Sequence, residues 1–256
     1  MADFSRFFVP WGTYGALRDQ LGSIRKIYVG KDRVLRRDDF AEESERVLML
    51  HGFFQTRNLW DVMEDRLRFD GYSVMSFNLG GLFWRYNTHP VEKSAALVAE
   101  KIERLSQKHG FDKLHIIGHS KGGLIARRYV QEHGGAARVK SVITLGTPHH
   151  GTPTAAIAVG LMGFGMLRSS AFDLLPRSRM VRDLGRDRFP TDISLTSIYS
   201  KHDLVCPHWC SVLRPRGDSE RNLHNVEVQG IGHSQLAWDA GVYRHVREAL
   251  ERASHA

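Results

Sequence analysis

The sequence predicts a single α/β domain spanning residues 1–256, with a mostly parallel central sheet, helices on both faces and an apolar lid insertion. Three observations carry that expectation. Apolar runs of strand length alternate with amphipathic runs at the spacing of strand–helix–strand units. The 256 residues, 42% of them hydrophobic, are enough for one large core. The alternation breaks once, late in the chain, at a stretch that has no charge and is rich in glycine.

Residues 1–45 read as an N-terminal extension. Within it Leu17, Leu21, Ile24 and Ile27 fall at helical spacing, with Arg18, Arg25 and Lys26 off the stripe, which predicts a short amphipathic helix over 11–27. Packing on the body of the domain is the plain expectation, and Phe7, Phe8 and Trp11 make contact with a membrane surface the alternative. The charged segment from Lys31 to Arg46 gives way to "VLMLHGF", a buried strand that delivers a loop at His51 and Gly52. A helix at "LWDVMEDRLRF", a strand at "YSVMSFNL" and a long helix closed by Gly110 follow. Next come a strand at "KLHIIGHS", a helix from Gly122 to His133 and a strand at "RVKSVITLGTP" stopped by Pro148. After the break, "DISLTSIYS" and "LHNVEVQG" are the last strands and "YRHVREALERA" the closing helix.

The break spans residues 151–190. Gly151 to Leu167 carries no charge, yet at 17 residues and rich in glycine it is short for a membrane span. Met162, Phe164 and Met166 are flexible or aromatic side chains suited to varied apolar ligands, so the segment reads as a lid over a pocket more readily than as a core helix.

Thirty-six Lys and Arg against 28 Asp and Glu give a net charge of +8, which favours approach to anionic surfaces. The basic residues are interleaved with acidic ones and form no recognisable nucleic-acid module, so a lipid headgroup surface is the expected anionic partner and nucleic acid is not. The opening "MADFSRFFVPWGTYG" has no long apolar run, and a cytoplasmic location is the default expectation. Cys206 and Cys210 in "CPHWC" could bridge only a tiny loop; with His208 they are three clustered donors without a fourth, and ordinary loop packing is expected instead of a metal.

The chemistry concentrates at "IIGHSKGG". Gly118, Ser120 and Gly122 form G-x-S-x-G between a predicted strand and a predicted helix, where a tight strained turn holds a serine hydroxyl above the sheet edge. A serine hydroxyl is a weak nucleophile and needs a base, an orienting carboxylate and donors for the oxyanion. After such a turn the partners follow in the order acid, then histidine. Asp203 in "YSKHDLVCP" and His233 in "GIGHSQL" each lie a few residues beyond a strand, on the edge where Ser120 emerges. Asp192, Asp218, Asp239, His208 and His224 are rivals at less suitable positions. The backbone N–H groups of Phe53 and Lys121 are the candidate oxyanion hole. His119, Met162, Phe164 and Met166 are candidate substrate contacts, while His51, His149 and His150 read as structural or rim residues. The Lys121 side chain, a cation at a helix N-terminus, is expected to find a carboxylate or an anionic substrate group.

From about Arg46 to Ala249 the chain resembles the α/β-hydrolase superfamily in its bacterial lipase and esterase branch. The motifs "LHGFFQ", "GHSKGG", "LGTPHHGT", "YSKHDLVCP" and "GIGHSQL" carry the resemblance. It implies Ser120 as nucleophile, Asp203 as acid, His233 as base, and the Phe53 and Lys121 amides as oxyanion hole. No acidic pair matches the calcium site of some relatives, and the residue after the serine is often apolar in that branch, where this chain has Lys121. The implied activity is hydrolysis of esters with apolar acyl chains, without metal or cofactor. Thioesterases and acyltransferases share this machinery, and a non-catalytic lipid-binding module is a further alternative.

Overall fold

A computed structural model of the chain describes residues 44–76, 78–81, 86–162, 171–217 and 220–254. The expected helix over 11–27 and nearly all of the N-terminal extension lie outside these residues. Six strands form one sheet: β1 (Arg46–Leu50), β2 (Ser73–Ser76), β3 (Leu114–His119), β4 (Val139–Leu145), β5 (Ser194–Ser200) and β6 (Leu223–Val228). Their order is β2-β1-β3-β4-β5-β6, and every neighbouring pair is parallel.

Parallel neighbours need crossovers, and these supply the helices up to the last strand, with one more helix following it. In chain order they are α1 (Asp61–Phe69), α2 (Val91–His109), α3 (Lys121–Glu132), α4 (Ala155–Met162), α5 (Arg179–Arg186), the single turn α6 (His208–Ser211) and α7 (Ala240–Ser254). Side chains alternate across each strand, so the sheet sorts its apolar residues into two cores. Leu48, Leu50, Ile116 and Val142 pack with α2, α3 and α5 on one face. Val47, Met49, Ile117 and Ile143 pack with α1 and α7 on the other. α2 ends where Gly110 takes a left-handed φ of 65° and its N–H returns to the Ser106 carbonyl, as "KHG" suggested.

Between β4 and β5, the regular crossover is replaced by two short helices, α4 and α5, with residues 163–170 outside the described part. α4 has an apolar sequence and leaves Ile157 64% exposed. Among the described residues no helix is long and apolar enough to cross a membrane.

The order in which strands are added reverses at β1, with β2 on one side and β3 on the other, so the carboxyl ends of β1 and β3 border a crevice, the position where ligands bind in open α/β sheets. Close contact seals the floor of that crevice. An added Cβ on Gly122, in the first turn of α3, would fall 2.0 Å from the Leu50 carbonyl oxygen at the end of β1. Because the obstacle is backbone, Gly122→Ala is expected to destabilise the fold by about 2–3 kcal/mol. Gly185→Ala, facing open space within α5, is expected to stabilise it by about 0.5–1 kcal/mol. Urea unfolding of both variants checks the pair, and equal stability would show that α3 and β1 can separate without cost.

Candidate active site

β3 ends at His119, and the next residue turns sharply. Ser120 has φ 53° and ψ −123°, a left-handed conformation that costs a residue bearing a Cβ of order 1–3 kcal/mol. Neighbouring bonds hold it there. Ser120 N–H donates to the Leu145 carbonyl at 2.9 Å, and its own carbonyl accepts from Thr147 Oγ1 at 2.9 Å and from Gly123 N–H at 3.1 Å. The loop after β1 approaches so closely that a Cβ on Gly52 would lie 2.8 Å from the Ser120 Cβ. Gly52 thus brings the expected oxyanion loop against the serine.

Asp203 follows β5 and His233 follows β6, both nearly fully buried. His233 Nδ1 donates to Asp203 Oδ2 at 2.6 Å. The other carboxylate oxygen accepts from the N–H groups of Val205 at 2.9 Å and Cys206 at 2.8 Å. With Nδ1 committed to the carboxylate, the His233 Nε2 is the ring atom left to act as a base. The rival Asp239 serves elsewhere, accepting from the N–H groups of Gly241 and Val242 at the start of α7.

His119 links these parts from below. It has no exposed surface; Nε2 donates to the His233 carbonyl at 2.9 Å, Nδ1 lies 3.0 Å from Gln55 Oε1, and its ring is 4.7 Å from that of His233. Burial, with the His233 ring beside it, pushes its pKa well down. Expected as a substrate contact, His119 is placed beneath the site, where its Nε2–H holds the backbone of His233. Gln55 in turn accepts from Gly52 N–H at 2.8 Å. "LHGFFQ" displayed this glutamine, yet no spacing rule marked it as the residue that closes the turn at Gly52.

The Lys121 side chain departs from expectation. Its Nζ is wholly buried and donates to neutral oxygens: Asn87 Oδ1 at 2.6 Å, the His89 carbonyl at 2.5 Å and the Asn87 carbonyl at 3.3 Å. Burial pulls its pKa well down, while the Asp173 carboxylate opposes that fall electrostatically. The Asp173 carboxylate thus acts on it at a distance, while among the described residues its hydrogen bonds go to oxygens of a loop that "YNTHP" gave no reason to single out.

The remaining candidates separate clearly. His51 is buried, with its pKa lowered to about 3 by desolvation, and Leu79 N–H donates to its Nε2 at 3.4 Å. His149 accepts at Nδ1 from Arg127 at 3.2 Å and lies 3.0 Å from Thr144 Oγ1; His150 Nε2 donates to the Val212 carbonyl at 2.9 Å. Both follow β4 as structural residues. Cys206 and Cys210 are free and buried, and among the described residues no three His, Cys, Asp or Glu side chains gather as metal ligands would. Phe164 and Met166 lie outside the described residues, and of Met162 only the backbone, at the end of α4, is described.

A strained serine turn after a parallel strand, a buried Asp–His pair on the neighbouring loops and a close glycine loop define a hydrolase-type α/β site. The sequence profile described as the alpha/beta hydrolase fold matches residues 45–178, and the chain belongs to that family. GPI inositol-deacylase of Candida albicans is 29% identical over 139 residues, covering 53% of this chain and 28% of the relative. Triacylglycerol lipase of Pseudarthrobacter phenanthrenivorans is 31% identical over 124 residues, covering 46% of this chain and 37% of the relative. The matches therefore span well under half the length of these curated relatives. Among solved structures, mature Bacillus licheniformis lipase BlEst2 aligns with a TM-score of 0.62 at 16% identity, covering 85% of this chain and 95% of that one. Paleococcus ferrophilus monoacylglycerol lipase aligns at 0.56 and 16%, covering 82% and 95%. At such identities the structural likeness concerns the fold.

The buried histidines generate a pH dependence. Unfolded, each ring takes up a proton below about pH 6.5. Folded, desolvation holds His51 neutral to about pH 3 and His115, buried at the start of β3, to about pH 4. Stability present above pH 6.5 is therefore lost as pH falls towards 4, by about 1.4 kcal/mol per pH unit for each ring. Urea unfolding between pH 7.5 and 4.5 measures this slope. It should become shallower in His115→Gln, and an unchanged slope would mean that His115 is not held neutral.

Proposed function

We propose that the protein hydrolyses carboxylic esters of apolar acyl chains through a Ser120–His233–Asp203 triad and an acyl-enzyme. The 2.6 Å bond from His233 Nδ1 to the buried Asp203 carboxylate carries this reading, because it fixes the tautomer that leaves Nε2 free to take a proton. His233 lies beside the serine turn through His119, the residue preceding Ser120.

In the proposed reaction Ser120 Oγ attacks the ester carbonyl as its proton passes to His233 Nε2. Asp203, held by two backbone donors, stabilises the imidazolium that forms. The N–H groups of Phe53 and Lys121 stabilise the oxyanion, each worth about 3 kcal/mol. Collapse breaks the ester C–O bond, and the alcohol leaves with the proton from His233. Water, deprotonated by the same nitrogen, then attacks the acyl-serine and releases the acid, and the proton returns to Ser120.

The apolar acyl group rests on the character of the surroundings. Residues 151–190 are proposed as a lid, with Met162, Phe164 and Met166 as acyl-chain contacts. Support comes from the apolar α4, which is tied to the acid loop where Thr152 Oγ1 and Thr154 Oγ1 donate to the Val205 carbonyl at 3.0 and 2.5 Å. The large side chains of Ile157, Leu204 and Trp209 are exposed on these two segments. They would supply an apolar rim for a chain leaving the site.

Turnover of p-nitrophenyl esters of increasing chain length tests both halves. Octanoate is expected to be cleaved with a higher kcat/KM than acetate, and a preference for acetate would contradict the apolar acyl pocket. Ser120→Ala should abolish turnover, and Asp203→Asn should lower kcat by about ten-thousandfold. A near-normal rate in Asp203→Asn would assign the orienting role to another carboxylate.

A further inference from the structure

Burial of the Lys121 side chain carries a desolvation cost. A buried ammonium is stripped of water, and a methionine of similar volume would fill the same space without that penalty. What the charge does obtain is a set of bonds leading to one place. Asn87, which takes two of them, is bonded on its other sides to the loop that follows β1. Its side-chain Nδ2 donates to the His51 carbonyl at 2.9 Å, its N–H to the Gln55 carbonyl at 3.4 Å, and its carbonyl accepts from Phe54 N–H at 3.3 Å. Phe54 has a left-handed φ of 56°, a strained conformation for a residue with a Cβ, which persists only where its surroundings hold it. The Lys121 ammonium also lies 6.0 Å from the centre of the Phe53 ring, within reach of a cation–π contact.

We infer that Lys121 is a positioning residue for the oxyanion hole: its ammonium, acting through Asn87, clamps the His51–Gln55 loop so that the Phe53 N–H stays aligned with the N–H of Lys121 itself. One residue thus supplies one oxyanion donor from its backbone and fixes the other with its side chain. Among the described residues, the Asn87 carbonyl, Asn87 Oδ1 and the His89 carbonyl lie within 3.3 Å of Nζ, so that its hydrogen bonds to this loop converge on Asn87 and His89. Donors contribute to catalysis through preorganisation, so a loop free to shift by a fraction of an ångström raises the barrier even though no donor is deleted. The inference rests on the hydrolase reading for its catalytic part, while the clamp itself is a property of the folded chain.

Two variants cut the clamp at different points. Lys121→Met removes the ammonium and retains the volume. Asn87→Asp gives the ammonium a carboxylate partner but deletes the Nδ2–H bond to the His51 carbonyl, so it leaves Lys121 satisfied. In both, p-nitrophenyl butyrate turnover is expected to show kcat lowered about tenfold to a hundredfold, part of the loss that follows deletion of a whole oxyanion donor, with KM within about twofold of wild type. Hydrogen–deuterium exchange of residues 52–55 is expected to quicken about tenfold or more in the same variants, while β3 and β4 stay protected. If Lys121→Met fails to fold, Asn87→Asp decides. Folded variants with unchanged kcat and unchanged exchange would overturn the inference. Inactive wild-type protein would overturn the hydrolase reading instead, and exchange at 52–55 would then decide the clamp alone.

Discussion

A serine held at φ 53° and ψ −123° does not stay there through its own preferences, and much of this structure consists of what keeps it in place. Three hydrogen bonds fix the Ser120 backbone to β4 and to the first turn of α3. Gly122 lets α3 approach the end of β1, and Gly52 lets the next loop reach the serine. These contacts require β1, β3 and β4 to lie side by side and to end at the same edge, which the parallel sheet provides. The strain at one residue is offset by the packing of the whole sheet edge.

The polar groups around that residue follow a common pattern. Asp203 is ringed by donors from its own loop, His119 spans two loops, and Lys121 is surrounded by oxygens of a third. Buried polar groups stay buried only when partners replace the water they lose, and here the partners belong to separate segments. The site is thus assembled by hydrogen bonds between loops, on a scaffold assembled by apolar packing within and between strands and helices. Such preorganisation is what the stabilisation of a developing oxyanion requires, since the donors must be in place before the charge appears.

The scaffold was legible because its determinants are local. Runs bounded by glycine, proline or charge marked the six strands among the described residues, and "IIGHSKGG" marked the turn because the clearance it needs can be met only by glycines at fixed spacing. The pairing of Asp203 with His233 was legible through the order of strands, each lying just past a strand at the same sheet edge. Asn87 was not, because an amide that bridges two segments distant in sequence has no signature in the residues around it. The environment of Lys121 was hidden for the same reason. The oxygens that accept its hydrogen bonds come from a loop more than thirty residues earlier in the chain, and the Asp173 carboxylate that acts on it lies some fifty residues later, so only the folded arrangement brings them together. His119 was drawn towards the substrate by its neighbour in sequence, although consecutive residues at the end of a strand face opposite directions.

The central claim is that the strained serine is the nucleophile of an acyl transfer. Treatment of the wild-type protein with a fluorophosphonate probe, followed by peptide mass spectrometry, tests it most directly. A single adduct on Ser120, formed only in the folded protein, is the predicted result. No adduct, or one carried by another serine such as the buried Ser234 beside His233, would contradict the account.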